Sequence, residues 1–269
     1  MKNYLLKIKD EYLEFVKATL SDGTYRCYYH HLNSIVNWFI ENKYEITKIN
    51  LIKFIQDCHS KGLANKTINH RVICLKCMLK YANIESDIMV IKKLVVTTKP
   101  FDYLDTEKMK KLKDYILTSS ISNTNKLVLA LMYETGVRLR ELVNIEIKNI
   151  DLKNRIILLT ETKTKKIRYV FYTEFSEKFL LKEDLTKDKL FNYKEHGVYK
   201  IFVRANKKLE FEKFHPHMLR HTCATNLLKN GADLETVRQI LGHEDIKQTQ
   251  QYLHLDTSYI KSVYDVCMK

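Results

Sequence analysis

The stretch from residue 215 to residue 252, HPHMLRHTCATNLLKNGADLETVRQILGHEDIKQTQQY, constrains the fold more than any other part of the chain. Its apolar residues recur at helical spacing, which predicts packed helices rather than a loose tail. They are Met218, Leu219, Leu227, Leu228, Leu234, Val237, Ile240 and Leu241. Gly231 is placed where a first helix would end, because glycine readily adopts the left-handed conformation of a C-cap. This helical frame would carry four polar side chains of interest, His217, Arg220, His243 and Tyr252.

With residues further upstream, the stretch resembles the catalytic domain of the tyrosine recombinases, the phage integrase and Xer-like family. The family pattern is His-x-x-Arg, then Leu-Gly-His, then a nucleophilic Tyr, preceded by a Thr-Gly-x-Arg-x-x-Glu box. That box is matched here by Thr135, Gly136, Arg138 and Glu141. The family's lysine lies in a β-turn, where this chain has the run TKTKK at residues 162–166. The resemblance covers the catalytic half residue by residue, and the N-terminal half only in general shape.

The resemblance implies a reaction at a DNA phosphodiester. Arg138 and Arg220 would neutralise charge on the non-bridging oxygens, because a guanidinium stays charged and binds phosphate through two hydrogen bonds. Tyr252 would attack the phosphorus and form a covalent phosphotyrosyl bond, which stores the bond energy for rejoining. Tyr259 and Tyr264 are the alternatives for this role, although both belong to an apolar face.

The remaining matched residues would move protons or orient groups. His217 would accept a proton and His243 would hydrogen-bond a non-bridging oxygen. Lys163 would protonate the leaving 5′-oxygen, with Lys165 as the alternative because the register of the turn is open. Glu141 would orient an active-site base, and a plain salt bridge within its helix is the alternative. Further contacts with DNA phosphates are assigned to Lys165, Lys166, Arg168, Lys66 and Arg71.

The fold class predicted is mainly α with a small antiparallel β-sheet (α+β). Four helices with apolar stripes fill residues 1–84, the size of a small domain and similar to the family's core-binding, DNA-binding domain. Residues 85–100 have no clear period and end at a proline, which indicates a linker. Residues 101–269 would form the tyrosine-recombinase catalytic domain.

Within this second domain the pattern changes from helix to strand and back. Strands are predicted around Ile145 and Ile147, over 156–159 and over 167–171, with turns between them. Residues 173–208 return to a helical pattern. The apolar face formed by Tyr259, Ile260, Val263, Tyr264 and Cys267 indicates a last helix, which packs on its own domain or, as in Xer-like relatives, on a neighbouring protomer.

The charge of the chain favours a polyanionic partner. Lysine and arginine number 46 against 32 acidic residues, a formal net charge of +14. The resulting positive field would concentrate nucleic acid at the surface. The alternative is that an AT-rich genome simply encodes many lysines.

Cysteine usage and the N-terminus indicate a reducing compartment. Six cysteines are scattered along a chain that is too large to need disulfide staples, and no signal peptide or long apolar run is visible, so a cytoplasmic location is expected. Cys74 and Cys77 form a CxxC inside an apolar helix, which indicates buried thiols. A zinc site is an alternative for the neighbouring residues His215, His217, His221 and Cys223. However, Arg220 lies among them and would repel a cation. No metal and no cofactor are therefore predicted.

The resemblance implies a site-specific DNA recombinase that works through a 3′-phosphotyrosyl intermediate and a Holliday junction. Its partner would be double-stranded DNA with short inverted-repeat core sites, bound by a homo-tetramer on two sites. A second recombinase or a directionality factor, and the choice among integration, excision and dimer resolution, are left open. Two alternatives are a type IB topoisomerase-like relaxase and a catalytically silent DNA-binding regulator.

Overall fold

The computed structural model of the chain describes residues 2–96, 101–160, 167–250 and 252. The chain divides into two compact units, Met1–Thr98 and Lys99–Lys269. Each unit has its own hydrophobic core. In the part of the chain that is described, no helix combines the length and the apolar character needed to cross a membrane.

The first unit is built from four helices. They are α1 (Lys2–Thr19), α2 (Asp22–Glu41), α3 (Lys48–Ser60) and α4 (Asn65–Tyr81). Ser21 and Thr47 begin α2 and α3 by accepting hydrogen bonds from backbone amides three residues ahead, which satisfies donors that a helix start leaves free. The apolar stripes face inward and bury large side chains such as Phe39 and Phe54.

The stretch predicted to be a linker is held against this first unit as far as Val95. A short 3-10 helix, Asp87–Val90, buries Ile88 completely. The Asn69 side chain then pairs with the backbone of Leu94, donating at 2.9 Å and accepting at 2.8 Å. These bonds explain the missing helical period, since the segment is ordered by side chains of α4 and not by its own repeat.

The second unit is mainly helical as well. Its helices are α5 (Thr106–Thr118), α6 (Asn123–Thr135), α7 (Leu139–Val143), α8 (Glu174–Leu180), α9 (Glu195–Leu209), α10 (Pro216–Lys229), α11 (Leu234–Leu241) and α12 (Lys247–Gln250). Asp105 caps α5 by accepting from the Lys108 amide at 2.8 Å. The central helix α6 is buried on all sides from Leu127 to Met132, as its uniformly apolar sequence predicts.

A three-stranded antiparallel sheet lies in this unit, in the order β1 (Ile150–Asp151), β2 (Ile156–Leu159) and β3 (Arg168–Phe171). The prediction of a strand around Ile145 and Ile147 is wrong. Glu146 makes a single bridge to Lys189, and a 3-10 turn from Ile147 to Asn149 follows at once. The predicted fold class, mainly α with a small antiparallel sheet, is confirmed.

Candidate active site

The Thr-Gly-x-Arg box forms the sharp turn between α6 and α7. Gly136 has a positive φ of 57°, which ends α6 in the left-handed conformation. A Cβ at this position would lie 2.8 Å from the Leu241 Cδ2 atom, so a larger residue would not fit. The turn makes Arg138 the N-cap residue of α7, pointing its side chain toward the end of α11.

Glu141 holds Arg138 through both the backbone and the side chain of that arginine. One carboxylate oxygen accepts from the Arg138 backbone amide at 2.9 Å and the other from its guanidinium at 2.8 Å. The first oxygen also pairs with Arg168 at 2.6 Å. Burial would raise the pKa of Glu141, but the charges of Arg168 and Arg138 outweigh it and lower the pKa, so the carboxylate is ionised.

Helix α10 brings in the second arginine. His215 caps this helix by accepting from the Met218 amide, and Pro216 is its first residue. One turn into the helix, Arg220 is only 4% exposed and donates to the Gly136 carbonyl at 2.7 Å. This bond ties α10 to the α6–α7 turn that carries Arg138.

The C-terminal end of α11 is the point where three arginines meet. Arg168 donates to the Ile240 carbonyl, Arg220 to Leu241 at 2.6 Å and Arg138 to Gly242 at 2.6 Å. A helix end leaves its last carbonyls without intrahelical partners and carries partial negative charge, so it attracts cations. The Leu-Gly-His motif is therefore the element on which the arginines are assembled.

Positive charge exceeds negative charge at this site. Burial lowers the pKa of Arg220 to about 9, and repulsion from Arg138 and Arg168 contributes to the shift. Glu141 is the carboxylate that pairs with both Arg138 and Arg168. A phosphate entering here would relieve the repulsion, since its oxygens supply the missing negative charge.

Tyr252 lies next to this cluster and is 4% exposed. Its hydroxyl shares a hydrogen bond of 2.9 Å with Nδ1 of His221, whose ring is stacked on Phe101 with centroids 4.3 Å apart. Burial raises the pKa of Tyr252, while the charges of Arg220 and Arg138 lower it in part. The phenol is thus within electrostatic reach of both arginines.

The histidines around Tyr252 are held in their neutral form. Burial lowers the pKa of His221 to about 4, with repulsion from His217 and Arg220. His243 stacks on Tyr252 and its Nδ1 is 2.8 Å from the Thr249 hydroxyl. Burial, followed by the arginine charges, lowers the pKa of His243 to about 3. A neutral ring can accept a hydrogen bond at pH 7.

His217 is the exposed member of the group. Its ring centroid lies 6.5 Å from that of His221, and the residue, which is only partly covered, lies one turn before Arg220. Loss of surrounding water lowers its pKa, and the charge of Arg220 lowers it further. His217 is therefore also a proton acceptor rather than a cation at neutral pH.

The structure brings together six of the predicted residues, Arg138, Glu141, His217, Arg220, His243 and Tyr252. The predicted lysines Lys163, Lys165 and Lys166 and the alternative tyrosines Tyr259 and Tyr264 lie outside the described residues. Lys66 and Arg71 belong to the first unit. Lys66 is exposed, whereas Arg71 is half-buried and donates to the Cys58 sulfur at 3.6 Å.

Arg168 is a correction to the sequence prediction. It was expected to grip phosphates near the surface, but it is 8% exposed and its guanidinium is bound to Glu141 and the Ile240 carbonyl. Arg168 shares the inward face of β3 with the buried Val170, and the two-residue period of a strand could have signalled this. The sequence prediction also gave His221 no role beside Tyr252, because no motif position of the family marks it.

The chain is similar to known proteins along most of its length. The family described as "Phage integrase family" matches residues 102–258, and the one described as "Phage integrase, N-terminal SAM-like domain" matches residues 10–85. Tyrosine recombinase XerA of Saccharolobus solfataricus is 28% identical, over 95% of this chain and 91% of its own length. Tyrosine recombinase XerD of Staphylococcus epidermidis is 28% identical, over 96% of this chain and 97% of its own.

Solved structures share the fold. The XerH recombinase bound to a palindromic difH substrate, in a post-cleavage complex, has a TM-score of 0.77 at 22% identity, covering 100% of this chain and 85% of that one. The Tn1549 transposon integrase with transposon right end DNA has a TM-score of 0.75 at 16% identity, covering 98% of this chain and 99% of that one.

Proposed function

Because the chain belongs to the phage integrase family, we propose that it is a site-specific DNA recombinase, an enzyme that cleaves and rejoins DNA through a 3′-phosphotyrosyl intermediate and a Holliday junction. The observation that supports this most is the meeting of Arg138 and Arg220 on consecutive carbonyls of the α11 end, beside Tyr252. A phosphate bound there would have two guanidinium groups and a phenol around it.

The proposed cleavage step uses Tyr252 as the nucleophile. Its oxygen attacks the phosphorus, the bond to the 5′-oxygen breaks, and the 3′-phosphate remains attached to the enzyme. Arg138 and Arg220 balance the charge that builds on the non-bridging oxygens. Rejoining is the reverse step, in which a 5′-hydroxyl of another strand displaces the tyrosine, so no external energy source is needed.

Proton transfer is assigned to the histidines around Tyr252 and to a lysine. His217 would take up the phenol proton, while His221 shares a hydrogen bond with the Tyr252 hydroxyl. His243 would hydrogen-bond a non-bridging oxygen. Lys163 would donate the proton that the leaving 5′-oxygen needs, with Lys165 as the alternative.

The proposed partner is double-stranded DNA. The net charge of +14 supports this, as do a relative named a tyrosine recombinase and the similar XerH structure, which was solved with a DNA substrate. Short inverted-repeat core sites, a homo-tetramer on two DNA sites, a second recombinase or directionality factor and a cytoplasmic location remain parts of the proposal.

Covalent capture tests the nucleophile. The protein is mixed with a library of nicked genomic duplexes, in which a cleaved end diffuses away and leaves the enzyme attached to DNA. We expect an SDS-resistant adduct that Tyr252→Phe abolishes and that the matched variant Tyr259→Phe retains. Sequencing the trapped fragments would identify the site.

Assays with the same proteins distinguish the proposed recombinase from its two alternatives. An adduct that survives in Tyr252→Phe contradicts the assigned nucleophile. Relaxation of supercoiled plasmids without any preferred site would instead indicate a topoisomerase-like relaxase, and DNA binding with no adduct on any substrate would indicate a silent regulator.

A further inference from the structure

Two helices of the first unit present a set of metal-ligating side chains far along the chain from the recombinase motifs. Cys27 and His31 lie one turn apart on α2, and His70 lies on α4. The Cys27 sulfur and a ring nitrogen of each histidine all lie within 4.8 Å of one another. Among residues 2–96, 101–160, 167–250 and 252, no other group of three His, Cys, Asp or Glu side chains is so placed.

Three protein ligands leave the fourth corner of a tetrahedral site to a water molecule. Cys74 follows His70 by one turn on α4, but it is buried, and the group of ligand atoms within 4.8 Å of one another does not include its sulfur. The ring of His31 faces that of His70, with centroids 5.5 Å apart. Cys27 and His31 on α2 therefore face His70 on α4, which places three ligands from two helices around one point.

The chemistry of this set selects the ion. Thiolate and imidazole ligands suit a borderline-soft cation in tetrahedral geometry, which is the preference of Zn²⁺. Tetrahedral Zn²⁺ would require nitrogen and sulfur atoms about 3.4–3.6 Å apart. The side chains must therefore close by about 1 Å, a movement that rotation about χ1 and χ2 provides.

Charge at the site is compatible with a divalent ion. The single thiol would release its proton on binding, which offsets one charge of the ion. Arg71 adds positive charge near His31, but its guanidinium donates to the Cys58 sulfur, 3.6 Å away on α3. A partly exposed rim, formed by His70 and His31, leaves a path for the ion to enter.

We propose that Cys27, His31 and His70 form a Zn²⁺ site that links α2 to α4. The CxxxH spacing on α2 is completed by a histidine of another helix, so no single motif in the sequence marks the set. Binding would stabilise the first unit, because the folded state presents the three ligands together and the unfolded chain does not.

Cobalt titration tests the site directly. The full chain, without a histidine tag, is reduced, stripped with a chelator and titrated with Co²⁺, whose visible spectrum reports tetrahedral thiolate ligation. We expect saturation at one equivalent, displacement by Zn²⁺, and a higher melting temperature by Trp38 fluorescence, since that tryptophan lies in the first unit. Loss of an outer-shell partner already costs about 10–100-fold in metal affinity, so His70→Ala should weaken binding by at least about tenfold.

Matched variants separate a site from general histidine binding. His30→Ala removes an exposed histidine of α2 next to the proposed set, and it should titrate like the unaltered protein. Cys27→Ser should lose the thiolate-to-cobalt band. No saturable band in the unaltered protein, or equal affinities in His70→Ala and His30→Ala, would overturn the proposal. The exposed position of His70 means that its variant folds whether or not a metal binds.

Discussion

At the level of single residues, the site depends on the charge of Glu141. Its side chain is 1% exposed and pairs with Arg138 at 2.8 Å and Arg168 at 2.6 Å. Breaking a buried ion pair by removing one partner costs about 3–5 kcal/mol, since the other charge stays buried without compensation. Here the buried guanidinium of Arg168 and the half-buried one of Arg138 would lose their counter-charge together.

Glu141→Gln keeps the shape of the side chain and removes its charge. We expect the variant to lose about 3 kcal/mol of unfolding free energy at pH 7, and to form the covalent DNA adduct more slowly because Arg138 loses its anchor. Urea unfolding followed by circular dichroism measures the first effect, because the lone tryptophan reports the other unit. Glu235→Gln is the control, as its pair with Arg238 is solvent-exposed and worth at most about 1 kcal/mol.

The lowered pKa of Glu141 determines how its contribution to stability changes with pH. The folded pKa of Glu141 is lowered, so the stability it contributes is present above its unfolded pKa of about 4.3 and is lost as the pH falls through the folded value. The difference between the unaltered protein and Glu141→Gln should therefore shrink as the pH falls below about 4. A difference that is constant down to pH 2 would mean that packing, not charge, accounts for the loss.

At the level of elements, the end of α11 positions the three arginines of the site relative to one another. Arg138, Arg168 and Arg220 come from a turn, a strand and another helix, and each binds one carbonyl of residues 240–242. The motifs on the individual elements could be predicted, because spacing along a helix fixes which side chains share a face. The inward direction of Arg168 was missed, because a charged residue in a short strand was assigned to the surface by type alone.

Other errors have the same origin. The apolar residues Ile145 and Ile147 suggested a strand, but a 3-10 turn forms there because the chain must leave α7 and enter the sheet within a few residues. The Asp105 cap and the buried helix α6 were predictable, since both follow from local chemistry. What depends on a distant partner, such as the bond between Tyr252 and His221, carried no local signal.

Gly242→Ala tests the role of the α11 end. A Cβ at Gly242 would lie 2.5 Å from the Arg168 Cδ atom, and the residue has a positive φ of 65°. We expect the variant to displace Arg168 and the arginines beside it, and to lower the rate of adduct formation about 100-fold, the scale of a 1 Å misplacement. Gly231→Ala is the control, because its φ is +92° but nothing lies within 4 Å of its Cβ.

The two glycine variants share the same backbone strain, and they differ in whether the new Cβ atom meets a neighbouring side chain. Each should lose about 1–2 kcal/mol of stability, because an L-residue is strained in the left-handed region. Adduct formation at normal rate in Gly231→Ala and at reduced rate in Gly242→Ala would separate the two effects. Equal rates in both variants would show that the end of α11 does not set the position of the arginines.

At the level of the whole molecule, the chain carries a large excess of positive charge that its two hydrophobic cores do not explain. The formal net charge is +14, and each unit folds around its own apolar cluster. The four helices of the first unit could be predicted from their helical periods. The extent of the first unit could not, because residues 86–95 are ordered by side chains such as Asn69 and Lys76, which sequence patterns do not pair.

Salt dependence measures how this charge meets DNA. Lys66 is exposed at the second position of α4, where the free amides of a helix start also favour an anion. Lys61 is exposed too, but its Nζ atom is 2.7 Å from the Asp57 carboxylate.

If Lys66 contacts a phosphate, Lys66→Ala should reduce the slope of log Kd against log salt by about 1, for duplexes of any sequence. Lys61→Ala removes the same charge and should leave the slope unchanged. Titrations between low and moderate salt on one mixed-sequence duplex compare the two variants, and equal slopes would mean that Lys66 acts only through the overall field of the protein.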